Sequence, residues 1–182
     1  MRFPTIENSL LVAVDLQQKL LPVISDSEKI IDRASILLQG AAELGMDIVV
    51  TEQYPRGLGN TIPELSTWLP DRTKVIPKTA FSVFGETAFN TALSEKKREI
   101  LIFMGVEMHV CLLQSILDAL NSGYEVFVVA DAVGSRKNAD KELALTTARS
   151  AGAVVVSTES LLFMLLRDAK NPCFKSISSL IK

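Results

Sequence analysis

Residues 9–15 read SLLVAVD, a serine and five apolar residues that end on a carboxylate. A run this short, rich in Leu and Val and without polar alternation, predicts a strand buried on both faces of a parallel sheet. The pattern returns at 47–51, 74–76, 99–104, 125–130 and 153–156. Between these runs the sequence predicts helices at 27–44, 85–96, 109–122, 139–150 and 158–166. In the first of them Ile30, Ile31, Ala34, Leu37, Leu38 and Ala41 recur at three- and four-residue spacing, which makes one apolar stripe. Strands that alternate with amphipathic helices, punctuated by Gly45 and Gly152, predict a doubly wound α/β domain. The expected architecture is a six-stranded, mainly parallel sheet with helices on both faces, one domain over residues 1–182.

The composition fits that reading and excludes others. Of the 182 residues 48% are apolar and 22% charged, so neither a disordered nor a collagen-like chain is expected. A net charge of −2 gives no electrostatic footprint for nucleic acid or for an anionic membrane. No apolar run approaches the roughly 18 residues needed to span a bilayer, and with no basic stretch followed by an apolar one from residue 1 onward, export is not expected. The expectation is a cytoplasmic protein acting on a small molecule. With one His and two distant Cys, at 111 and 173, neither a disulfide framework nor an N/S-liganded zinc site is expected.

In an open parallel sheet, ligands bind beyond the carboxyl ends of the strands. The polar residues that follow the apolar runs are therefore the candidates. The first run ends in Asp15, the third is followed by Pro77 and Lys78, and the fourth by Gly105 and then Cys111 at the start of a helix. Desolvation at the edge of a buried strand raises a carboxyl toward general-base duty, whereas the structural alternative makes Asp15 a turn cap before Gln17 and Gln18. Cys111 is a candidate nucleophile, its thiol acidified by the helix N-terminus and by a nearby lysine; otherwise it is a small core hydrophobe. Lys78 reads equally as part of the site or as a solvated surface lysine. Cys173 reads as structural, and so does Asp131, set in the turn-like ADAVGS. His109 stands two residues before Cys111, a spacing at which helical side chains do not face each other, so no Cys–His pair is expected. The segment 51–71, TEQYPRGLGNTIPELSTWLPD, carries three of the seven prolines and the only Trp. It reads either as an active-site wall or as a connection with one helical turn around 63–68. Tyr54, Trp68 and Phe81 are candidate pocket walls, or else core.

LLVAVDLQ around Asp15, VIPKTAFSVF around Lys78, GVEMHVC at 105–111 and ADAVGS at 130–135, in that order, resemble the isochorismatase-like cysteine hydrolases. TEQYPRGLGNTIPEL resembles the branch called isochorismatase domain-containing. The resemblance implies a catalytic triad of Asp15, Lys78 and Cys111, and a cis peptide between Val106 and Glu107. It further implies an oxyanion hole made by the backbone N–H groups of Glu107 and Cys111. Nicotinamidases of the same superfamily carry an Asp/His metal cluster after the second strand; residues 51–61 hold neither His nor Asp, so no metal and no cofactor are expected. Isochorismatases proper lack the cysteine, so Cys111 implies thiol chemistry on an amide, ureide or related C–N bond. The resemblance also implies a homo-oligomer, with the apolar 161–166 stretch available either to a subunit contact or to the core. Two alternatives are an idle binding or assembly subunit and a Mg²⁺-dependent phosphatase of haloacid-dehalogenase type. The phosphatase needs a second carboxylate where Gln17 stands.

Overall fold

The computed structural model describes residues 2–182. Six strands form one all-parallel sheet: β1 (Ser9–Val14), β2 (Asp47–Gln53), β3 (Lys74–Lys78), β4 (Ile100–Val106), β5 (Glu125–Gly134) and β6 (Val154–Val156), in the order β3-β2-β1-β4-β5-β6. Eight helices accompany them: α1 (Ser27–Glu43), α2 (Pro55–Leu58), α3 (Pro63–Ser66), α4 (Thr87–Lys96), α5 (Leu113–Asn121), α6 (Asn138–Ser150), α7 (Thr158–Leu166) and α8 (Phe174–Ile181). None of the helices among the described residues is long and apolar enough to cross a membrane.

The two-residue side-chain period of a strand splits the core in two. Leu11 and Ala13 of β1, Ile100, Ile102 and Met104 of β4 and Phe127 and Val129 of β5 face the layer of α1, α7 and α8. Leu10, Val12 and Val14, with Leu101, Phe103, Val126 and Val128, face α4, α5 and α6. The central strands β1 and β4 are buried along their whole length, which is why they read as unbroken apolar runs. Leu161, Leu162, Leu165 and Leu166 of α7 are buried in the first of these layers and belong to the core of this chain, while Phe163 between them stays exposed.

The observed bounds differ from the predicted ones where a polar residue interrupts a strand. β5 runs on past Ala130 to Gly134 because its ladder with β4 slips between Phe103 and Gly105 and resumes at Val133 and Gly134. Asp131, at that irregularity, accepts from the N–H and the hydroxyl of Thr158 at 2.8 and 2.9 Å and ties β5 to the start of α7. The bond is structural, but it is made from within a strand and not in the turn that ADAVGS suggested, because β5 continues to Gly134. Helix α8 was not anticipated, although Phe174, Ile177 and Ile181 are spaced for one face of a helix. Ile177 is fully buried against the α1 layer.

Segment 54–62 is ordered because it is laid against residues 16–19. Gln18 and Lys19 N–H donate to the carbonyls of Asn60 and Leu58, and Ile62 N–H donates to Leu16, all at 3.1 Å. The buried Glu52 carboxylate accepts from Thr61 N–H and its hydroxyl at 2.7 and 2.9 Å.

Candidate active site

The strand order reverses between β1 and β4, and in an open parallel sheet the crevice lies beyond the carboxyl ends of the strands at such a point. Asp15 follows β1 there in the left-handed region (φ 54°), a conformation that Asp tolerates better than most residues. Its N–H still continues the ladder to Thr51 O at 3.0 Å, and its carbonyl accepts from Gln17 N–H at 2.8 Å. The carboxylate is buried: Oδ1 accepts from Thr51 Oγ1 at 2.9 Å and Oδ2 lies 2.8 Å from Lys78 Nζ. Both side chains are fully shielded from solvent. Lys78, the last residue of β3, reaches across the end of β2 to make this pair. Its ammonium also donates to Gln53 Oε1 at 2.6 Å, Phe81 O at 3.0 Å and Ala80 O at 3.1 Å.

Cys111 comes from the other side of the crevice. After β4, Gly105 adopts φ 120°, and a Cβ there would lie 2.0 Å from Val14 O, so no other residue lets β4 pass β1 this closely. The Val106–Glu107 peptide is cis. A single π-helical turn, Met108–Leu112, then leads into α5 and places Cys111 at 7% exposure, its thiol near enough to Asp15 and Lys78 for both charges to act on its ionisation. Ser115 fixes this turn to the chain after β3, its hydroxyl donating to Cys111 O at 2.6 Å and accepting from Val83 N–H at 3.0 Å.

The electrostatics reverse one expectation. Burial pushes the Cys111 thiol up from an ordinary 9.0 to about 12; the Asp15 anion adds to the rise and Lys78 opposes it. The helix start therefore does not leave a resting thiolate, because desolvation of the sulfur and a like charge beside it outweigh the acidifying influences. Burial also raises the Asp15 carboxyl above its ordinary range, against the pull of Lys78 and the hydrogen bonds from Lys78, Thr51 and Cys111. A carboxyl raised in this way is a better base toward a thiol than one in water.

The other candidates lie around these three or away from them. The Glu107 carboxylate accepts from both the backbone N–H and Nε of Arg136 at 3.0 Å, which leaves its main chain beside the Cys111 turn. His109 Nδ1 meets Ser135 Oγ at 2.9 Å and takes no part with the thiol. Phe81 and Tyr54 are more than half exposed at the rim, and Tyr54 N–H donates to Lys78 O at 2.8 Å. Tyr54 lines an open groove of about 420 Å³ with Arg56, Pro77, Lys78 and Glu86. Trp68 is not a wall of this site. It lines a separate groove with Gln39, Glu43 and Leu180, because the turn at α3 carries it to the α1–α8 side. Cys173 sits half-buried at the start of α8, with Sγ directed at Glu43 O, clear of the crevice. Among the described residues, no three His, Cys, Asp or Glu are grouped so as to hold a metal ion. Sequence reasoning passed over Thr51 and Gln53, and weighed Gln17 only as the place where a phosphatase would need a second carboxylate. The polar end of β2, TEQ, was the available signal, and it was masked because it runs straight into a Pro- and Gly-rich loop.

Comparison with known proteins gives the family of the chain. The family model "Isochorismatase domain" matches residues 9–160. Isochorismatase domain-containing protein 1 of Salmo salar is 42% identical over 170 residues, covering 92% of this chain, while the chain spans 59% of that relative's length. Isochorismatase family protein 1B of Dictyostelium discoideum is 37% identical over 97% of this chain and 87% of its own. A Caenorhabditis elegans structure named MAR1 ribonuclease superposes with a TM-score of 0.94 at 36% identity, covering 99% of this chain and 92% of that one. Escherichia coli YcaC, described as an octameric hydrolase of unknown specificity, has the same fold at 24% identity and a TM-score of 0.93, covering all of this chain and 90% of that one. A family model over most of the sheet, and relatives well above 30% identity along nearly the whole sequence, make this chain a member of the isochorismatase family.

Proposed function

We propose that this isochorismatase-family protein is a metal-independent cysteine hydrolase of a small amide, ureide or related C–N bond, with Asp15, Lys78 and Cys111 as its catalytic triad. The observation that carries the reading is a fully buried Asp–Lys ion pair with a shielded thiol near enough to feel both charges, at the point where the strand order reverses. A thiol that stays protonated at neutral pH needs a base beside it, and Asp15 is that base. As the Cys111 proton passes to Asp15, Sγ bonds to the carbonyl carbon. The oxyanion that forms rests on the backbone N–H groups of Glu107 and Cys111, each worth about 3 kcal/mol to the barrier. Lys78 steadies the developing thiolate. Collapse breaks the C–N bond and Asp15 returns its proton to the departing amine or ammonia. Asp15 then deprotonates a water that cleaves the thioester, freeing the acid and restoring the thiol. The reading does not favour a phosphatase, whose second carboxylate would stand where Gln17 is; the Gln17 amide instead bonds to Gln53 and Gly59. The same reading has the chain acting in the cytoplasm, on a small molecule and not on nucleic acid, as a homo-oligomer; light scattering that finds only a monomer would remove the last point.

The test is a panel of amides, ureides and carbamoyl compounds scored for ammonia or amine release, run beside a structured RNA scored for cleavage. Release by the wild type and not by Cys111→Ala is expected. RNA cleavage without any amide turnover would favour the activity in the name of the C. elegans relative, and binding without turnover would favour an assembly subunit.

A further inference from the structure

Lys78 is a fully buried cation held by one carboxylate and three uncharged oxygens, and only one of those three belongs to a side chain: Gln53 Oε1, at 2.6 Å. The Gln53 amide has no freedom to turn, since Nε2 donates to Thr79 O at 2.9 Å. Its main chain is fixed as well. Gln53 N–H donates to Gln17 Oε1 at 2.7 Å, and Gln17 Nε2 donates back to Gln53 O at 2.9 Å and to Gly59 O at 2.6 Å. Gln17 is itself fully buried, two residues beyond Asp15. The base, the clamp and the lysine's amide partner are thus joined through main chain at the ends of β1, β2 and β3.

We propose that Gln53 is a positioning residue of the triad: its uncharged amide holds the Lys78 ammonium against Asp15 and Cys111 without adding a second negative charge to the crevice. The reason lies in the charge count. With Gln53 neutral, the buried Asp15–Lys78 pair sums to zero and leaves room for one developing charge on sulfur. A carboxylate at the same place would give Lys78 two anions and make the crevice negative before the thiol ionises, which opposes thiolate formation. The other charged groups nearby do not compete for this role. Asp15 and Lys78 are the charges that act on the thiol. Glu86, just before α4, is committed to Thr79 and Ala80, whose N–H groups donate to it at 2.8 and 3.1 Å, and it is not among the charges that act on the thiol. Glu107 is turned to Arg136, and His109 to Ser135.

This inference rests on the triad assignment, yet it is tested without any substrate. Iodoacetamide labelling of Cys111 is followed against pH in a Cys173→Ala background, for wild type, Gln53→Glu, Lys78→Met and, as a distant control on α1, Gln39→Glu. At pH 9, Gln53→Glu is expected to label at least about tenfold more slowly than wild type, a shift of about one pH unit or more, while Gln39→Glu is unchanged. Should Gln53→Glu fail to fold, Gln53→Leu takes its place; it removes the oxygen that holds Lys78 and is expected to slow labelling too. Equal labelling of the folded variant and wild type overturns the proposal, because a merely structural Gln53 would change the melting temperature and leave the pH profile in place. Slow labelling of Gln53→Glu together with an inert substrate panel would uphold Gln53 and overturn the hydrolase reading alone. A profile unmoved by Lys78→Met would overturn the triad and Gln53 with it.

Discussion

Asp15 and Lys78 illustrate how much a single buried pair is asked to do. Neither side chain touches solvent, and removing one partner of such a pair strands the other charge at a cost of about 3–5 kcal/mol. Asp15→Asn is therefore expected to lower turnover at least ~10²-fold and also to lower the melting temperature. Asp15→Asn combined with Lys78→Met should recover part of the stability and none of the activity; calorimetry on the single and double variants checks this. Cys111→Ala should be as inactive while keeping its fold, and Cys173→Ala close to silent. The thiol also has a stability signature. Between about pH 9 and 12 the unfolded chain releases the Cys111 proton while the folded protein keeps it. The folded state then binds more protons, so its stability falls as pH rises, by up to about 1.4 kcal/mol per unit. Cys111→Ala removes that loss, so its melting temperature relative to wild type should rise from pH 8 to pH 10.5.

At the scale of elements, the site depends on how closely β4 passes β1. Gly105→Ala would drive a Cβ into Val14 O and force a backbone conformation that alanine rarely adopts. The expected outcome is loss of soluble folded protein, or a destabilisation above about 3 kcal/mol by urea titration. Ser115 is a milder joint between α5 and the chain after β3. Ser115→Ala leaves the buried Val83 N–H without its hydroxyl partner and should cost about 1–3 kcal/mol. Because the same hydroxyl holds Cys111 O, turnover should fall as well, which a merely structural joint would not produce.

For the whole molecule, the chain ends of β1, β3 and β4 bring together a carboxylate, an ammonium and a thiol, and no metal-binding cluster accompanies them among the described residues. Turnover of whichever compound the panel identifies should survive exhaustive chelation. Loss on EDTA treatment that Zn²⁺ or Mg²⁺ restores would contradict the metal-independent mechanism.

The strands and most helices were legible because burial on both faces of a parallel sheet writes itself as unbroken Val/Ile/Leu runs, and those runs stand at 9–14 and 100–106. Asp15 and Cys111 were legible as candidates because the chain after such a run carries them, and Lys78 because it closes the short, more exposed strand β3. The continuation of β5 past Asp131 was not, because the polar residue at the slip marks an end in sequence and a bulge in space. Trp68 and Gln53 were misread or missed because aromatic and amide side chains carry no period that tells a pocket wall from a surface or a clamp from a loop. The thiol's ionisation lay furthest beyond the sequence. Proximity to a helix start and to a lysine can be read from the order of residues, and both favour a thiolate. Desolvation and the facing carboxylate arise only when β1, β3 and β4 converge, and they prevail because the loss of water around a buried sulfur outweighs a partial charge at a helix end.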